Sequence, residues 1–188
     1  QVWRGLDLGR PSDTWLLSPT LEVGSGPLVV RLSHRYRFEA DAPDGSDTNW
    51  DGGVIEVSGD DGRTWEDVAR FADPGYRGVL SDRAGNPLAG REALVGTSTA
   101  WPSAQRLALD LGTRFSGQRV RIRFRIGTDA AVGDFGWEID DIAVDGIRNA
   151  PFFTLGPDRT TCPVRLLAEA GPNRSAGPDA LVTLDGSG

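Results

Sequence analysis

The chain has 188 residues, enough for one full domain with a sizeable core and a remainder. Its net charge of -7 argues against a nucleic-acid partner and favours divalent cations. Gly (25) and Pro (12) are abundant and the apolar share is 38%, which suits short strands joined by many turns rather than helices; no apolar run approaches the roughly 18 residues of a membrane span.

All 20 basic residues are Arg and there is no Met, a bias expected of a GC-rich bacterial genome and of a piece excised or processed from a longer chain. The single cysteine, Cys162, gives no internal disulfide and no cysteine metal cluster. It is a buried small apolar residue, a free thiol, or a partner for a cysteine elsewhere in the parent chain.

In chain order, Val2 and Trp3 open a first apolar piece, residues 15–17 a second and residues 21–23 a third, with Gly24 and Gly26 ending it. Residues 28–38 then alternate over a long span. Val30, Leu32, His34, Tyr36 and Phe38 share one face and Arg31, Ser33, Arg35 and Arg37 the other, the pattern of a half-buried strand.

Residues 41–53 form an acidic, glycine-bent loop that leads into a strand over 54–58 and a tight turn. That turn contains S-x-D-x-G-x-T-W, filled by Ser58, Asp60, Gly62, Thr64 and Trp65, the spacing of an Asp-box. Asp60 can accept backbone N–H groups two or three residues on, Gly62 can take a positive φ, and Trp65 can fold over the turn as an apolar plug. The motif is therefore expected to be structural.

Between 73 and 102, glycine, proline, asparagine and serine dissolve any periodicity. So long an irregular segment is expected to cover a sheet edge or face, with a short helical turn over 88–94. Regularity returns at 105–111 and then in GQRVRIRFRIG, where Val120, Ile122, Phe124 and Ile126 alternate with Arg119, Arg121, Arg123 and Arg125. The arginine row is either an anion or glycan surface or, more simply, a solvated sandwich face neutralised by acidic neighbours.

FGWEIDDIAVDG carries a phase slip. Phe135, Trp137 and Ile139 share one parity while Ile142 and Val144 share the other, so a β-bulge is expected near Asp140 and Asp141. After Gly146 the chain becomes rich in Pro and Gly.

Chemistry-bearing motifs are few. The one histidine falls on the apolar face of a strand, and neither a nucleophile elbow, a zinc-binding H-E-x-x-H nor a phosphate loop is present. Paired-carboxylate glycoside hydrolysis is formally open, but no spacing singles out an acid and a base. Calcium takes about 6 to 8 oxygen ligands, and two segments offer them: residues 39–51 and Asp140 with Asp141. The alternative is an acidic loop that is only hydrated.

The ordered set YRFE, WDGGVIEVSGDDGRTW, NPLAGREALVG and VRIRFRIGTDAAVGDFGWEIDDIAV resembles a secreted bacterial module found beside immune-inhibitor-A-type and fungalysin-type metalloproteases. It is similar to reelin subrepeats and, more distantly, to MAM domains. The resemblance covers about residues 14–146 and implies an all-β, galactose-binding-like jelly-roll sandwich over residues 1–147. It also implies a structural calcium ion between the loop before WDGG and the I-D-D strand, with Glu39, Asp51 and Asp141 first among the ligands and Asp140 and Asn49 next. A longer insertion between Glu39 and Trp50 leaves open whether Asp41, Asp44 and Asp47 join that ion, hold a second or hold none. The tail, 148–188, ends in AGPDALVTLDGSG and resembles the opening of a polycystic-kidney-disease-type (PKD) immunoglobulin-like repeat, so a linker and an incomplete module are expected there.

The resulting expectation is a non-catalytic, calcium-stabilised accessory domain of a large secreted or cell-surface bacterial protein, a metalloprotease among the possible parents. It would serve adhesion, spacing or substrate binding. Its partners would be other domains of the parent chain and a glycan or extracellular protein, with no nucleic acid and no membrane insertion. The alternative is a carbohydrate-binding module in which Trp50, Tyr76 and Trp101 stack on sugar rings.

Overall fold

The computed structural model describes residues 2–151 and, beyond them, the backbone of two short strands, Leu166–Leu167 and Val182–Thr183. Cys162 and most of the stretch where an incomplete PKD-type module is expected lie outside the described residues. The chain is all-β, two sheets packed face to face in a jelly-roll-like sandwich. Among the described residues no helix is long and apolar enough to cross a membrane.

The first sheet runs β1 (Trp3–Gly5), β12 (Gly136–Asp145), β4 (Val29–Arg37), β10 (Gln105–Asp110) and β7 (Ala72–Asp73). The second centres on β2 (Ser12–Leu17), β11 (Arg119–Thr128), β5 (Gly52–Ser58), β9 (Glu92–Val95) and β8 (Gly78–Val79). Short β3 (Leu21–Glu22) pairs with β11 and β6 (Glu66–Asp67) with β5. Val182–Thr183, β14, adds in parallel to β2, and Leu166–Leu167, β13, adds to β14. The long strands pass from sheet to sheet along the chain, so β4 leads to β5 and β10 to β11 to β12 across the sandwich.

Period-2 alternation decides what lies between the sheets. Val30, Leu32, His34 and Tyr36 of β4 and Trp137 and Ile139 of β12 face Ile55 and Val57 of β5 and Val120, Ile122, Phe124 and Ile126 of β11. His34 belongs to that core and is satisfied there: the Trp137 indole N–H donates to its Nδ1 at 3.2 Å. Gly53 explains part of the WDGG pattern, because a Cβ at that position would come within 2.7 Å of the Trp137 ring.

The bulge falls where the phase slip requires it. Pairing of β12 with β4 shifts register between Asp140 and Ala143, and Asp141 adopts φ 52°. Phe135 departs from the expected parity. Gly136, at φ 89°, turns the chain as β12 begins, so Phe135 packs edge-on against Trp101 rather than beside Trp137.

The irregular segment holds strand rather than helix: β8 and β9 extend the second sheet beyond β5, with turns, not a helical turn, over 87–90. Leu80, Leu88, Ala93 and Val95 pack on Val54 as a second small core. Since Val54 alternates with Ile55 and Val57, this cluster lies on the outer side of β5.

The Asp-box closes on itself. Asp60 Oδ1 accepts the backbone N–H groups of Arg63 and Thr64 at 3.1 and 2.8 Å, three and four residues on, while Oδ2 accepts the Thr64 hydroxyl at 2.7 Å. Ser58 Oγ donates to Asp60 and accepts from Gly62 N–H, and the Trp65 indole N–H donates to Gly62 O. These donors hold the Asp60 carboxyl down at about 2. The arginine row is neutralised over most of its length: Arg121 pairs with Asp61, Arg123 with Glu56, and Arg125 with both oxygens of Asp13 at 2.7 Å.

Candidate metal centre

Three connections meet at one end of the sandwich, and antiparallel pairing decides which acids they bring. Glu39 follows β4 and Asp51 precedes β5. Glu39 O accepts the N–H groups of both Trp50 and Asp51, so the acidic loop closes at its base. Gly127 of β11 pairs with Gly52, which sets Asp129 beside Asp51. The run after β1 passes Gly133 and Gly136, where a Cβ would lie 2.5 Å from Asp7 O and 2.2 Å from Gly5 O. That close approach brings Asp7 Oδ2 within 2.9 Å of the Glu39 N–H.

Glu39, Asp51 and Asp129 each offer a carboxylate oxygen within 4.8 Å of the others. Asp51 is 0% exposed, Asp129 2% and Asp7 6%. Asp51 Oδ1 accepts the Asp129 N–H at 2.6 Å and Asn86 Nδ2 at 3.4 Å, and Asp129 Oδ1 accepts the Ala131 N–H at 2.8 Å. The remaining oxygens are conspicuous: Asp7 Oδ1, Glu39 Oε2 and Asp51 Oδ2 are buried with no hydrogen-bond partner. A buried polar atom without a partner costs about 1–3 kcal/mol, and more if charged, so these three acceptors demand protons or a cation.

The electrostatics of burial say the same. Burial, reinforced by the facing Asp7 carboxyl, pushes Asp51 up to about 10. Burial raises Asp7 as well, and burial together with the negative charges of Asp129 and Asp7 raises Glu39. Such a cluster cannot ionise fully at neutral pH on its own. A multivalent cation taking oxygen ligands would let it do so, and these residues fit that role: the donors are hard oxygens, they converge, and three are unspent.

Asn86 supports the cluster from behind. Its Nδ2 donates to Trp50 O at 2.7 Å and Gly127 O at 2.9 Å, and its Oδ1 accepts the Leu88 N–H.

The structure brings Glu39 and Asp51 together, and separates both from Asp140 and Asp141. Because β12 runs antiparallel to β4, Gly136 lies beside Arg37 near the cluster, whereas Asp140 lies beside Ser33. From position 33 to 39 is about 20 Å at roughly 3.3 Å per residue. The acids on the connection before β12, not the D-D pair within it, are the ones beside Glu39, Asp129 foremost among them. Asp7 carries no sequence signal. Asn49 is buried beneath the loop, donating to Gly45 O and Val79 O, with its Oδ1 unpartnered.

The other loop acids serve the loop. Asp41 accepts the Trp50 indole N–H at 2.8 Å, Asp44 accepts from Ser46, and Asp47 from Thr48. Of the three aromatics proposed for stacking, Trp50 is tied to Asp41. Tyr76 is anchored to β5 by its hydroxyl, which accepts the Ile55 N–H at 2.6 Å and donates to Ile55 O. Trp101 packs against Phe135 at 4.6 Å.

The chain matches no model of a known protein family, and no curated protein matches it.

Proposed function

We propose that this chain is a non-catalytic accessory β-sandwich of a larger secreted or cell-surface bacterial protein, its fold locked by one calcium ion. The ion would be held by Glu39, Asp51 and Asp129 with Asp7, and the domain would serve adhesion, spacing or substrate presentation for its parent. The observation that carries this reading is the trio of buried, unpartnered carboxylate oxygens, Asp7 Oδ1, Glu39 Oε2 and Asp51 Oδ2. Calcium fits them better than a transition metal because no imidazole or thiolate stands among the clustered ligands. An ion there would tie the β1–β2, β4–β5 and β11–β12 connections together, the three that define one end of the sandwich. His34 is spent in the core, which favours a structural over a catalytic role. The Asp-box and the W-x-I-D-D-I strand, with the resemblance they carry, favour the extracellular setting.

The test is a thermal melt of the 188-residue chain with calcium and with chelator. A ligand that binds only the folded state adds about 2.7 kcal/mol at a hundredfold excess over its Kd, so calcium should raise Tm clearly. Asp51→Asn should abolish the shift while Asp141→Asn keeps it. An unchanged melt, or a shift that follows Asp141 instead, would overturn the proposal.

A further inference from the structure

A cleft of about 410 Å3 opens on the outer face of the first sheet, lined by Ser33 and Arg35 of β4, Glu138 and Asp140 of β12, and the Pro102 turn. It shares no residue with the metal cluster. We propose that this cleft is a carbohydrate subsite, taking one or two rings of a neutral glycan.

The lining is prearranged. Glu138 lies opposite Arg35 and Asp140 opposite Ser33 in the ladder, so the four side chains form a two-by-two grid on one face. Arg35 Nε donates to Glu138 Oε2 at 2.6 Å and its NH1 to Pro102 O at 2.7 Å, with the guanidinium 5.2 Å from the Phe135 ring and 5.7 Å from Trp101. The guanidinium is therefore held on several sides at the wall of the cleft, and one Glu138 oxygen stays available.

Asp140 spends Oδ1 on the Asp141 N–H at 2.9 Å. The bulge responsible puts Asp141 at φ 52°, in the left-handed region that a residue with a Cβ adopts reluctantly. Bulges of this kind re-aim side chains next to sites.

The mixture of groups selects the ligand class. A cation would satisfy Glu138 and Asp140 but meet Arg35 with repulsion, and an anion would do the reverse. Sugar hydroxyls donate to the Glu138 and Asp140 carboxylates and to the Ser33 hydroxyl oxygen, and accept from the Arg35 guanidinium, within one ring. The volume falls in the ordinary range for small-ligand clefts, about 300–1,000 Å3.

The experiment is affinity electrophoresis of the 188-residue chain, with calcium present, through gels containing a soluble β-glucan, a xylan or a galactomannan. Retardation by at least one of them is expected, with affinity falling at least about tenfold in Asp140→Asn and in Glu138→Gln and unchanged in Asp61→Asn. Ser33→Ala, which leaves the Arg35 clamp intact, provides the same reading if Glu138→Gln loosens the fold. No retardation on any gel, or retardation indifferent to all three cleft variants, overturns the proposal. So does binding of oligolysine in place of the polysaccharides, which would make the cleft a cation site.

Discussion

Asp51 and Asp60 stand just outside the two ends of β5, and their surroundings drive them in opposite directions. Asp60 is on the surface, ringed by donors from Arg63, Thr64 and Ser58, and is held down at about 2. Asp51 is fully buried, has donors on one oxygen only, faces another carboxyl, and is pushed up to about 10. One aspartate has its charge solvated by its own turn, so the turn is complete as it stands. The other has been stripped of water with donors on one oxygen only, so its end of the sandwich leaves a buried acceptor unmet. Acid content is similar at the two ends; the supply of donors distinguishes them.

The strongest way to break this contrast is to disturb the frame behind Asp51. A Cβ at Gly127 would lie 2.4 Å from Asn86 Oδ1 and 2.7 Å from Leu88 Cγ. Gly127→Ala should therefore displace Asn86, which holds Trp50 O and Gly127 O beside the cluster, and cost about 1–3 kcal/mol by overpacking. Urea denaturation with calcium and with chelator checks it, and the increment due to calcium should shrink as well. Gly62→Ala acts at the other end of β5. There the residue must adopt φ 90°, so a loss of about 1 kcal/mol is expected with the calcium increment intact.

Proton and cation should compete at the Asp51 end. For an acid whose folded pKa is raised, the contribution to stability is fully present below the unfolded value of about 3.9 and is lost as pH rises through the folded value. The chelated protein should therefore lose stability between about pH 7 and 9, by at most about 1.4 kcal/mol per pH unit for one proton. His34 does not confuse the window: burial lowers it to about 4, so it is neutral throughout. The calcium-loaded protein, with the carboxylates already ionised, should stay flat. Parallel curves for the two forms would mean that cation and proton do not share a site.

Local spacing carried a good part of this molecule. Alternation marked the core faces of β4 and β11, the phase slip marked the bulge, and S-x-D-x-G-x-T-W marked the Asp60 turn, because each depends on residues close in sequence. The metal cluster depends on three connections far apart in the chain. Glu39 and Asp51 came from the resemblance, together with Asp140 and Asp141, which the structure sets apart from them; Asp129 required knowing which end of β12 adjoins β4, and Asp7 required the passage along Gly133 and Gly136. Phe135 was misassigned for a related reason: a positive φ at Gly136 resets parity, and alternation carries no record of it.

The smallest expected effect is the most diagnostic of the Asp60 end. In Asp60→Asn the Oδ1 position can still accept from Arg63 and Thr64, while the new amide meets the Thr64 hydroxyl, which can turn to accept in its place. Tm at about pH 7 should drop by only a few degrees, the loss of charge-assisted bonds at an exposed site. An acid with a lowered folded pKa contributes stability that is present above its unfolded value of about 3.9 and lost as pH falls toward about 2. The gap between parent and variant should therefore close on acidification, and melts from about pH 7 down to 2 measure it. Run with and without calcium, the same melts should give identical gaps. A gap that widened with calcium would tie the two ends of β5 together, and Asp60 could no longer be regarded as a turn that is complete without the ion.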